Sequence, residues 1–233
     1  MPDTSKNFTG NVTGLTTNSF RNMQLDAGAF FVGLDTKEWT PTTSAKEVGE
    51  ALNAAKKDGK CLGATTGGGA FRLVPETREI EADGMRAPIV GSTVFDGWDV
   101  GLTTTLKETT ESNLHHIIAT AEKDPTTGAL RVRNVLEVTD YIPNVVWAGK
   151  VLGGALMVVE IINALNISGM EFTFQDKGEG TIAVDYKAHQ DDLENMEYAP
   201  CNIWVFAGDE QVAVPDAMAS TKSVTAPKTD NKK

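Results

Sequence analysis

Cysteine is scarce in this chain, and the two that occur follow no functional spacing. Among 233 residues only Cys61 and Cys201 are present, far apart and in no C-x-x-C pair. This excludes a disulfide framework and a cysteine zinc site, and it predicts two unpaired thiols. The sequence also lacks an apolar run of membrane-spanning length, and residues 1 to 8 lack a basic segment followed by an apolar one. We therefore expect a soluble protein that is not exported.

Positive charge is also in deficit. The chain has 21 Lys and Arg against 32 Asp and Glu, which gives a net charge of −11. Binding to phosphates needs clustered Lys and Arg, so the composition argues against a nucleic-acid-binding protein. A negatively charged protein can nevertheless lie beside DNA that has to move past it without being bound.

The sequence contains no recognisable catalytic motif. His115 and His116 are adjacent, and neighbouring residues on a helix project about 100° apart, so the two do not readily share a metal. No H-E-x-x-H or G-x-S-x-G motif occurs. Three glycines at residues 67 to 69 lead into an alternating strand rather than into Lys followed by Ser or Thr, so a phosphate-binding loop is not indicated. These absences predict a protein that is not an enzyme.

Carboxylates are crowded in one segment near the end of the chain. The cluster comprises Asp191, Asp192, Glu194 and Glu197. Oxygen ligands of this kind can bind calcium, but the spacing and the glycine of an EF-hand loop are missing. We interpret the segment as a solvated acidic loop and expect no metal and no cofactor.

Short alternating apolar segments separated by glycine-rich turns are abundant. The clearest alternation is Trp98, Val100, Leu102, Thr104 and Leu106. Two hairpins are predicted: residues 145 to 162 around Gly153 and Gly154, entered by a turn at residues 143 and 144, and residues 170 to 188 around a turn at 176 to 180. Further strands are predicted within residues 25 to 34, 71 to 74, 130 to 138 and 202 to 206. The pattern predicts a mainly β fold, a sandwich or barrel.

Two segments have helical periodicity. Ser44 is a candidate N-cap for a short helix within the loop of residues 37 to 60, because Val48, Leu52 and Ala55 recur at helical spacing. A stronger pattern follows Ser112 and predicts one flanking amphipathic helix that ends before residue 125. Its apolar stripe comprises Leu114, Ile117, Ile118 and Ala121.

The two ends of the chain are polar and poor in large apolar residues. Residues 1 to 24 and 207 to 233 are predicted to be extended arms, since segments of this composition do not form a core alone. Residues 25 to 206 are predicted to form one domain.

Three stretches resemble the major tail tube proteins of long-tailed bacteriophages and related prophage particles. They are GATTGGGAFRLVPETREIEADG at residues 63 to 84, GWDVGLTTTLKETTESNL at 97 to 114, and VVEIINALNISGMEFTFQDKGEGTIAVDYKAHQD at 158 to 191. The likeness lies in their order and spacing rather than in any one motif. It implies a β-sandwich with a flanking helix, assembled as stacked six-membered rings around a channel through which the genome leaves the capsid.

The resemblance also implies partners and a location. The subunit would bind copies of itself and other tail proteins, namely the tape measure, tail terminator and distal tail proteins. Viral DNA would pass through the channel without specific binding, and no membrane would be involved. The protein would be made in the host cytoplasm and reside in the virion tail, with a flexible, non-contractile tail preferred. The alternative is a β-sandwich module that decorates the capsid or binds a receptor or carbohydrate.

Candidate residues follow for two kinds of surface. Acidic side chains expected to face the channel, where negative charge lets DNA slide, are Glu76, Glu79, Glu81, Asp99 and Glu179. Contacts between subunits are expected from Trp39 and Leu52, in the segment that would stack ring on ring, and from the turns of the two hairpins, whose strand edges could pair with a neighbour. The turn residues are Gly153, Gly154, Asp176 and Gly178.

Overall fold

A computed structural model describes residues 19 to 208, except residues 25, 152, 174, 175, 177, 192, 194 and 195. Residues 1 to 18 and 209 to 233, which make up most of the two predicted arms, lie outside the described residues. The α-helices are α1 (Ala45–Lys57) and α2 (Glu111–Ile117), and two short 3-10 helices span Ser19–Asn22 and Val138–Asp140. The strands are β1 (Ala29–Val32), β2 (Thr65–Glu79), β3 (Thr93–Leu106), β4 (Ala121–Lys123), β5 (Leu130–Val132), β6 (Ile142–Lys150), β7 (Leu156–Asn166), β8 (Ile182–Lys187) and β9 (Cys201–Phe206). The prediction of a mainly β fold is confirmed.

Seven of the strands form one antiparallel sheet in the order β1-β6-β7-β8-β3-β2, with β9 also paired to β7. β7 is shared by two groups of strands: residues 156 to 161 pair with β9, whereas Leu165 and Asn166 pair with β8. Between these parts Asn163 has a φ of 46°, a left-handed conformation that asparagine tolerates better than most residues. The predicted hairpin around Gly153 and Gly154 is confirmed as β6 and β7.

One hydrophobic core is shared by the first group of strands (β1, β6, β7 and β9) and the second group (β2, β3 and β8). Its most deeply buried members include Phe30, Val145, Ile161, Val100, Leu106, Ile182 and Tyr186. In β8 buried side chains alternate with more exposed ones, as the period of two predicts. The hydroxyl of Tyr186 lies in this core, and its burial raises the pKa of the side chain.

Helix α1 covers the opposite face of the first group. Val48, Leu52 and Ala55, the three residues that carry the predicted periodicity, are all buried there. Burial of a Val or Leu side chain contributes about 1.5–3 kcal/mol. Because this group is covered on both faces, β1 and β6 carry continuous rather than alternating buried residues.

The predicted start of α1 is confirmed by its capping contacts. The Ser44 hydroxyl accepts a hydrogen bond from the backbone N–H of Glu47 at 3.2 Å. The Glu47 carboxylate accepts one from the backbone N–H of Ser44 at 2.8 Å, and this bond lowers the pKa of Glu47. Together they form a capping box, which satisfies two donors that a helix start otherwise leaves unpaired.

The bounds predicted for the second helix are wrong, and α1 rather than α2 is the longer of the two. Helix α2 is capped by Thr110 instead of Ser112, and the Thr110 side chain accepts a hydrogen bond from a backbone N–H of the first turn. It ends at Ile117, whose carbonyl oxygen accepts a hydrogen bond from Asn166 Nδ2 at 2.9 Å, and Ile118 leaves the helical conformation. Strand β4 replaces the expected last turn.

Two further predictions around β5 and β6 are corrected. The segment of residues 130 to 138 is strand only to Val132, and the guanidinium of the next residue, Arg133, pairs with three carboxylates. These are Glu122, Glu137 and Asp140. Pro143 and Asn144 lie inside β6 rather than in a turn. Pro143 falls between two paired residues of β6, so its missing N–H interrupts neither pair.

The first arm of the second predicted hairpin is not a strand. Phe172 makes an isolated bridge to Ile182, Met170 is exposed outside any strand, and Phe174 lies outside the described residues. β8, the second arm, pairs with β3 along its whole length instead. A strand distant in sequence therefore replaces the expected local partner.

A buried carboxylate lies within the first group of strands. Glu160 in β7 is 3% exposed. Its oxygens accept hydrogen bonds from Thr36 Oγ1 at 2.9 Å, Asn144 Nδ2 at 2.5 Å and Asn202 Nδ2 at 2.9 Å. Three donors compensate for the loss of water around this carboxylate, and they tie β6, β7, β9 and the loop after β1 to one point.

Candidate assembly surface

Strands β2 and β3 form a hairpin that extends beyond the rest of the sheet. They pair from Thr65 with Leu106 to Glu79 with Thr93, whereas β8 pairs with β3 only over residues 101 to 106. We call residues 74 to 98 the outer hairpin. Among the described residues, no third strand pairs with this part of β2 or β3. A two-stranded ribbon is only marginally stable alone in water, so the outer hairpin lacks the support that the rest of the sheet has.

The outer hairpin carries large apolar side chains that are open to solvent. Phe95 is 52% exposed and Trp98 is 42% exposed, and their ring centroids lie 5.2 Å apart. Further exposed apolar residues on the hairpin are Val74, Ile80, Ile89 and Val90. Exposed apolar side chains beside an unpaired strand edge are typical of a site that a partner covers.

Polar contacts hold the outer hairpin in shape. Arg78 Nε donates to Asp96 Oδ1 at 2.9 Å. The Glu79 carboxylate accepts from the hydroxyls of Thr93 and Ser92, each at 2.7 Å, and these two hydrogen bonds lower the pKa of Glu79. Such exposed contacts contribute little stability, but they hold the two strands together near the tip.

The acidic candidates fall into different environments. Glu76, Glu79 and Glu81 are exposed on the outer hairpin, close together along the chain. Asp99 lies at its base, where it pairs with Arg72 Nε at 2.8 Å and Lys187 Nζ at 3.5 Å. The charge of Asp99 is therefore compensated by neighbouring strands, whereas the three glutamates lie where β8 does not reach.

Glu179 lies apart from the other acidic candidates, in the loop before β8. It forms a hydrogen bond and an ion pair with Lys107, just after β3. This hydrogen bond, together with the charge of Lys107, lowers the pKa of Glu179. The structure thus does not bring Glu179 onto the outer hairpin.

Two of the residues predicted to contact another subunit are engaged within their own chain. Leu52 lies on the buried face of α1 and is 7% exposed, so its side chain is not available as a surface contact, and that prediction is corrected. Trp39 is half-buried, with its ring edge-on to Trp204 at 5.5 Å and to Phe206 at 5.7 Å between centroids. Aromatic packing at the end of β9 therefore uses Trp39 inside the subunit.

The predicted turn residues remain accessible. Gly154 is exposed, with a φ of 85° at the turn between β6 and β7, and Gly153 is partly exposed beside it. Asp176 and Gly178 are exposed in the loop before β8. Among the described residues of the segment before this loop, only Phe172 pairs with β8, through an isolated bridge, so these residues offer no continuous strand edge.

The outer hairpin is a feature that sequence reasoning missed, because its two strands have separate local patterns. Neither Phe95 nor the apolar residues near the tip stand out in those patterns. One signal was present in the sequence. The alternation in β3 is long, and a long strand needs an equally long neighbour to pair its backbone groups. Residues 65 to 79 are the nearest upstream segment with apolar residues at such spacing.

The remaining chemistry-bearing side chains make structural contacts. His115 Nδ1 lies 3.2 Å from the carbonyl oxygen of Ala121, and His189 Nδ1 lies 3.1 Å from that of Asn163. Burial, followed by the charge of His115, lowers the pKa of His116. Cys61 and Cys201 are free thiols, as predicted.

The described residues contain neither a cluster of metal ligands nor a membrane-spanning helix. No three His, Cys, Asp or Glu side chains come together there in a way that could hold a metal ion, and Asp192 and Glu194 of the acidic cluster lie outside those residues. In the part of the chain that the structure describes, neither helix is long and apolar enough to cross a membrane.

No protein-family model and no curated protein matches this chain.

Proposed function

We propose that the chain is a structural subunit of a bacteriophage tail tube, which polymerises into stacked hexameric rings around the channel for genome delivery. The observation that carries the proposal is the outer hairpin. Among the described residues no strand pairs with its outer edge, and its apolar side chains, Phe95 and Trp98 among them, are exposed. Burial of these groups requires a partner, and copies of the same chain supply one at every position of a ring.

Strand addition is the proposed mode of contact. N–H and C=O groups along the outer part of β2, which no strand of the described residues pairs, can bond to a strand of the neighbouring subunit, and this pairing extends a sheet from one subunit to the next. The core shared by the two groups of strands supports a β-sandwich of the tail tube type as the unit that is repeated.

Negative charge on the outer hairpin supports its position near the channel. The hairpin carries five carboxylates and two guanidinium groups. The carboxylates belong to Glu76, Glu79, Glu81, Asp83 and Asp96, and the guanidinium groups belong to Arg78 and Arg86. An acidic lining disfavours contact with phosphates, so DNA slides rather than binds. The role needs no catalysis and no cofactor, and it places the protein in the virion tail with the tape measure, tail terminator and distal tail proteins as neighbours.

Electron microscopy of the purified full chain tests this function. We expect tubes of uniform diameter in negative stain at high protein concentration. Phe95→Ser should raise the concentration needed for assembly by about tenfold or more, which corresponds to about 1.4 kcal/mol per contact. Ile167→Ser is the matched control, because Ile167 is also 52% exposed but lies outside the hairpin, and it should assemble normally.

Two outcomes would contradict the proposal. A chain that stays a dispersed monomer at high concentration would do so, and binding of that monomer to capsids or to a glycan would instead support the decoration or receptor-binding alternative. Equal effects of the two substitutions would show that the outer hairpin is not the contact.

A further inference from the structure

A groove of about 660 Å³ lies between helix α1 and the first group of strands. One side of α1 forms a wall, and the other lining residues come from β1, the residues just before it, the end of β6 and the start of β7. The apolar lining includes Phe31, Ala148 and Leu156, which belong to the core beneath the helix. We call this feature the α1 groove.

One glycine of the groove has no explanation within the subunit. Gly49 lies inside α1 and lines the groove, although glycine is a poor helix former. Its φ is not positive, and a Cβ there would meet no described atom within 4 Å beyond its chain neighbours and the helix backbone. At Gly28 and Gly149, by contrast, a Cβ would collide with the ring of Trp147. The missing side chain at Gly49 therefore keeps the groove open for a close approach from outside the described residues.

The α1 groove also carries lysines that form no ion pair among the described residues. They are Lys46, Lys56 and Lys150. The lysines that do form ion pairs there are Lys107, Lys123 and Lys187. Two carboxylates, Asp26 and Glu50, line the groove as well, so three lysines against two carboxylates give it a charge of +1. In a chain of net charge −11, this local excess of positive charge favours an acidic occupant.

The tip of the outer hairpin, residues 80 to 92, has a composition that matches the groove. Its charged residues are Glu81, Asp83 and Arg86, which give a net charge of −1, and the whole outer hairpin has five carboxylates against two guanidinium groups. The tip also presents apolar side chains, since Ile89 is 62% exposed and Val90 is fully exposed. An apolar centre with opposite charges around it is the usual composition of a protein interface.

The position of the groove favours a tip from another copy. The groove lies on the face of the first group that α1 covers, whereas the outer hairpin continues strands from the other side of the shared core. Within one chain the first group of strands therefore separates the two surfaces. Contacts that repeat from copy to copy around a ring or along a stack join two different surfaces of the chain. The hairpin supplies one such surface and the groove supplies the second.

We propose that the α1 groove binds the hairpin tip of a neighbouring copy. The inference rests on the proposed tube function and deepens it, since it names the surface that receives the tip. Ile89 and Val90 cover the apolar lining beside Gly49, and the carboxylates of Glu81 and Asp83 face the lysines.

Gly49→Gln tests whether the groove is a contact. Glutamine favours a helix more than glycine does, so the urea midpoint of the monomer should rise. The new side chain fills the groove, so the concentration needed for tube assembly should rise by about tenfold or more. Ala54→Gln is the matched control, because Ala54 is exposed on α1 but does not line the groove, and it should assemble normally. Normal assembly of Gly49→Gln overturns the inference, and so does a lower urea midpoint, which would show that the glycine serves the subunit itself.

Charge reversal on both surfaces tests the identity of the occupant. Lys46→Glu with Lys56→Glu should weaken assembly, and so should Glu81→Lys with Asp83→Lys. A chain that carries all four substitutions should assemble better than either pair alone, because every contact again joins opposite charges. If this chain assembles worse than both pairs, the groove binds a different segment, such as residues 1 to 18, and the inference is overturned.

The outcomes separate this inference from the proposed function. Tubes that form normally from the unmodified chain and from both charge-reversed pairs overturn the inference and leave the tube function standing. Absence of tubes from the unmodified chain overturns both.

Discussion

The first group of strands and the outer hairpin are built from the same antiparallel pairing, yet they differ in what covers them. In the first group α1 covers one face and the second group of strands shares a core with the other. In the outer hairpin Phe95 and Trp98 are exposed and β8 does not reach. The first group is thus stabilised within the subunit, whereas the large apolar side chains of the hairpin stay exposed to solvent in the single chain.

The largest expected difference between the two regions is in the loss of stability when a phenylalanine is replaced by alanine in each of them. Phe31→Ala removes a side chain that is 1% exposed and should lower the free energy of unfolding by about 3–5 kcal/mol. Phe95→Ala removes the same atoms from the outer hairpin and should cost less than about 1 kcal/mol in the monomer. Urea unfolding at a concentration too low for assembly measures both. Similar losses would contradict the comparison.

Two carboxylates, one in each region, give the second test. Glu160→Leu leaves the amide and hydroxyl donors of Asn144, Asn202 and Thr36 without their acceptor, and we expect a loss of about 2–3 kcal/mol. Glu76→Leu, at an exposed position of the outer hairpin, should change stability by at most about 0.5 kcal/mol. Chemical denaturation with circular dichroism detects the difference. An unchanged midpoint for Glu160→Leu would show that these hydrogen bonds are not needed.

The smallest expected effect lies within the outer hairpin. Hydrogen bonds from Thr93 and Ser92 hold the pKa of Glu79 below its usual 4.5. Their contribution is therefore fully present above that usual value, and it is lost as the pH falls through the lowered pKa. Thr93→Val should move the pKa of Glu79 upward, as followed by NMR titration of the side chain, whereas Thr77→Val should leave it unchanged. An unchanged pKa of Glu79 after Thr93→Val would show that the hydrogen bond from Thr93 does not join the two strands near the tip.

Local patterns predicted those elements whose partners are close in sequence or whose signals lie in a few side chains. The α1 helix followed from Ser44 and its periodic apolar residues, and the β6–β7 hairpin followed from Gly153 and Gly154. The alternation in β3 and β8 was also visible. In each case a periodicity or a turn residue acts over a few positions, so the sequence alone reveals it.

Contacts between distant segments could not be predicted in the same way. Helix α2 ends at Ile117, whose carbonyl oxygen accepts a hydrogen bond from Asn166. Strand β8 pairs over its whole length with β3, whereas Phe172 makes only an isolated bridge to Ile182. The burial of Leu52 and the packing of Trp39 on β9 likewise depend on segments far along the chain. Tertiary context overrides local preference at these positions.

Because β7 pairs with strands of both groups, it determines how the subunit unfolds. One continuous strand supplies pairing partners to β9 at its beginning and to β8 at its end. Both groups of strands therefore depend on β7 for backbone hydrogen bonds. Unfolding of one group removes hydrogen-bonding partners from the other. We therefore expect a single cooperative melting transition. Under a pulling force, we expect the two groups of strands to unfold together and not to separate from each other first.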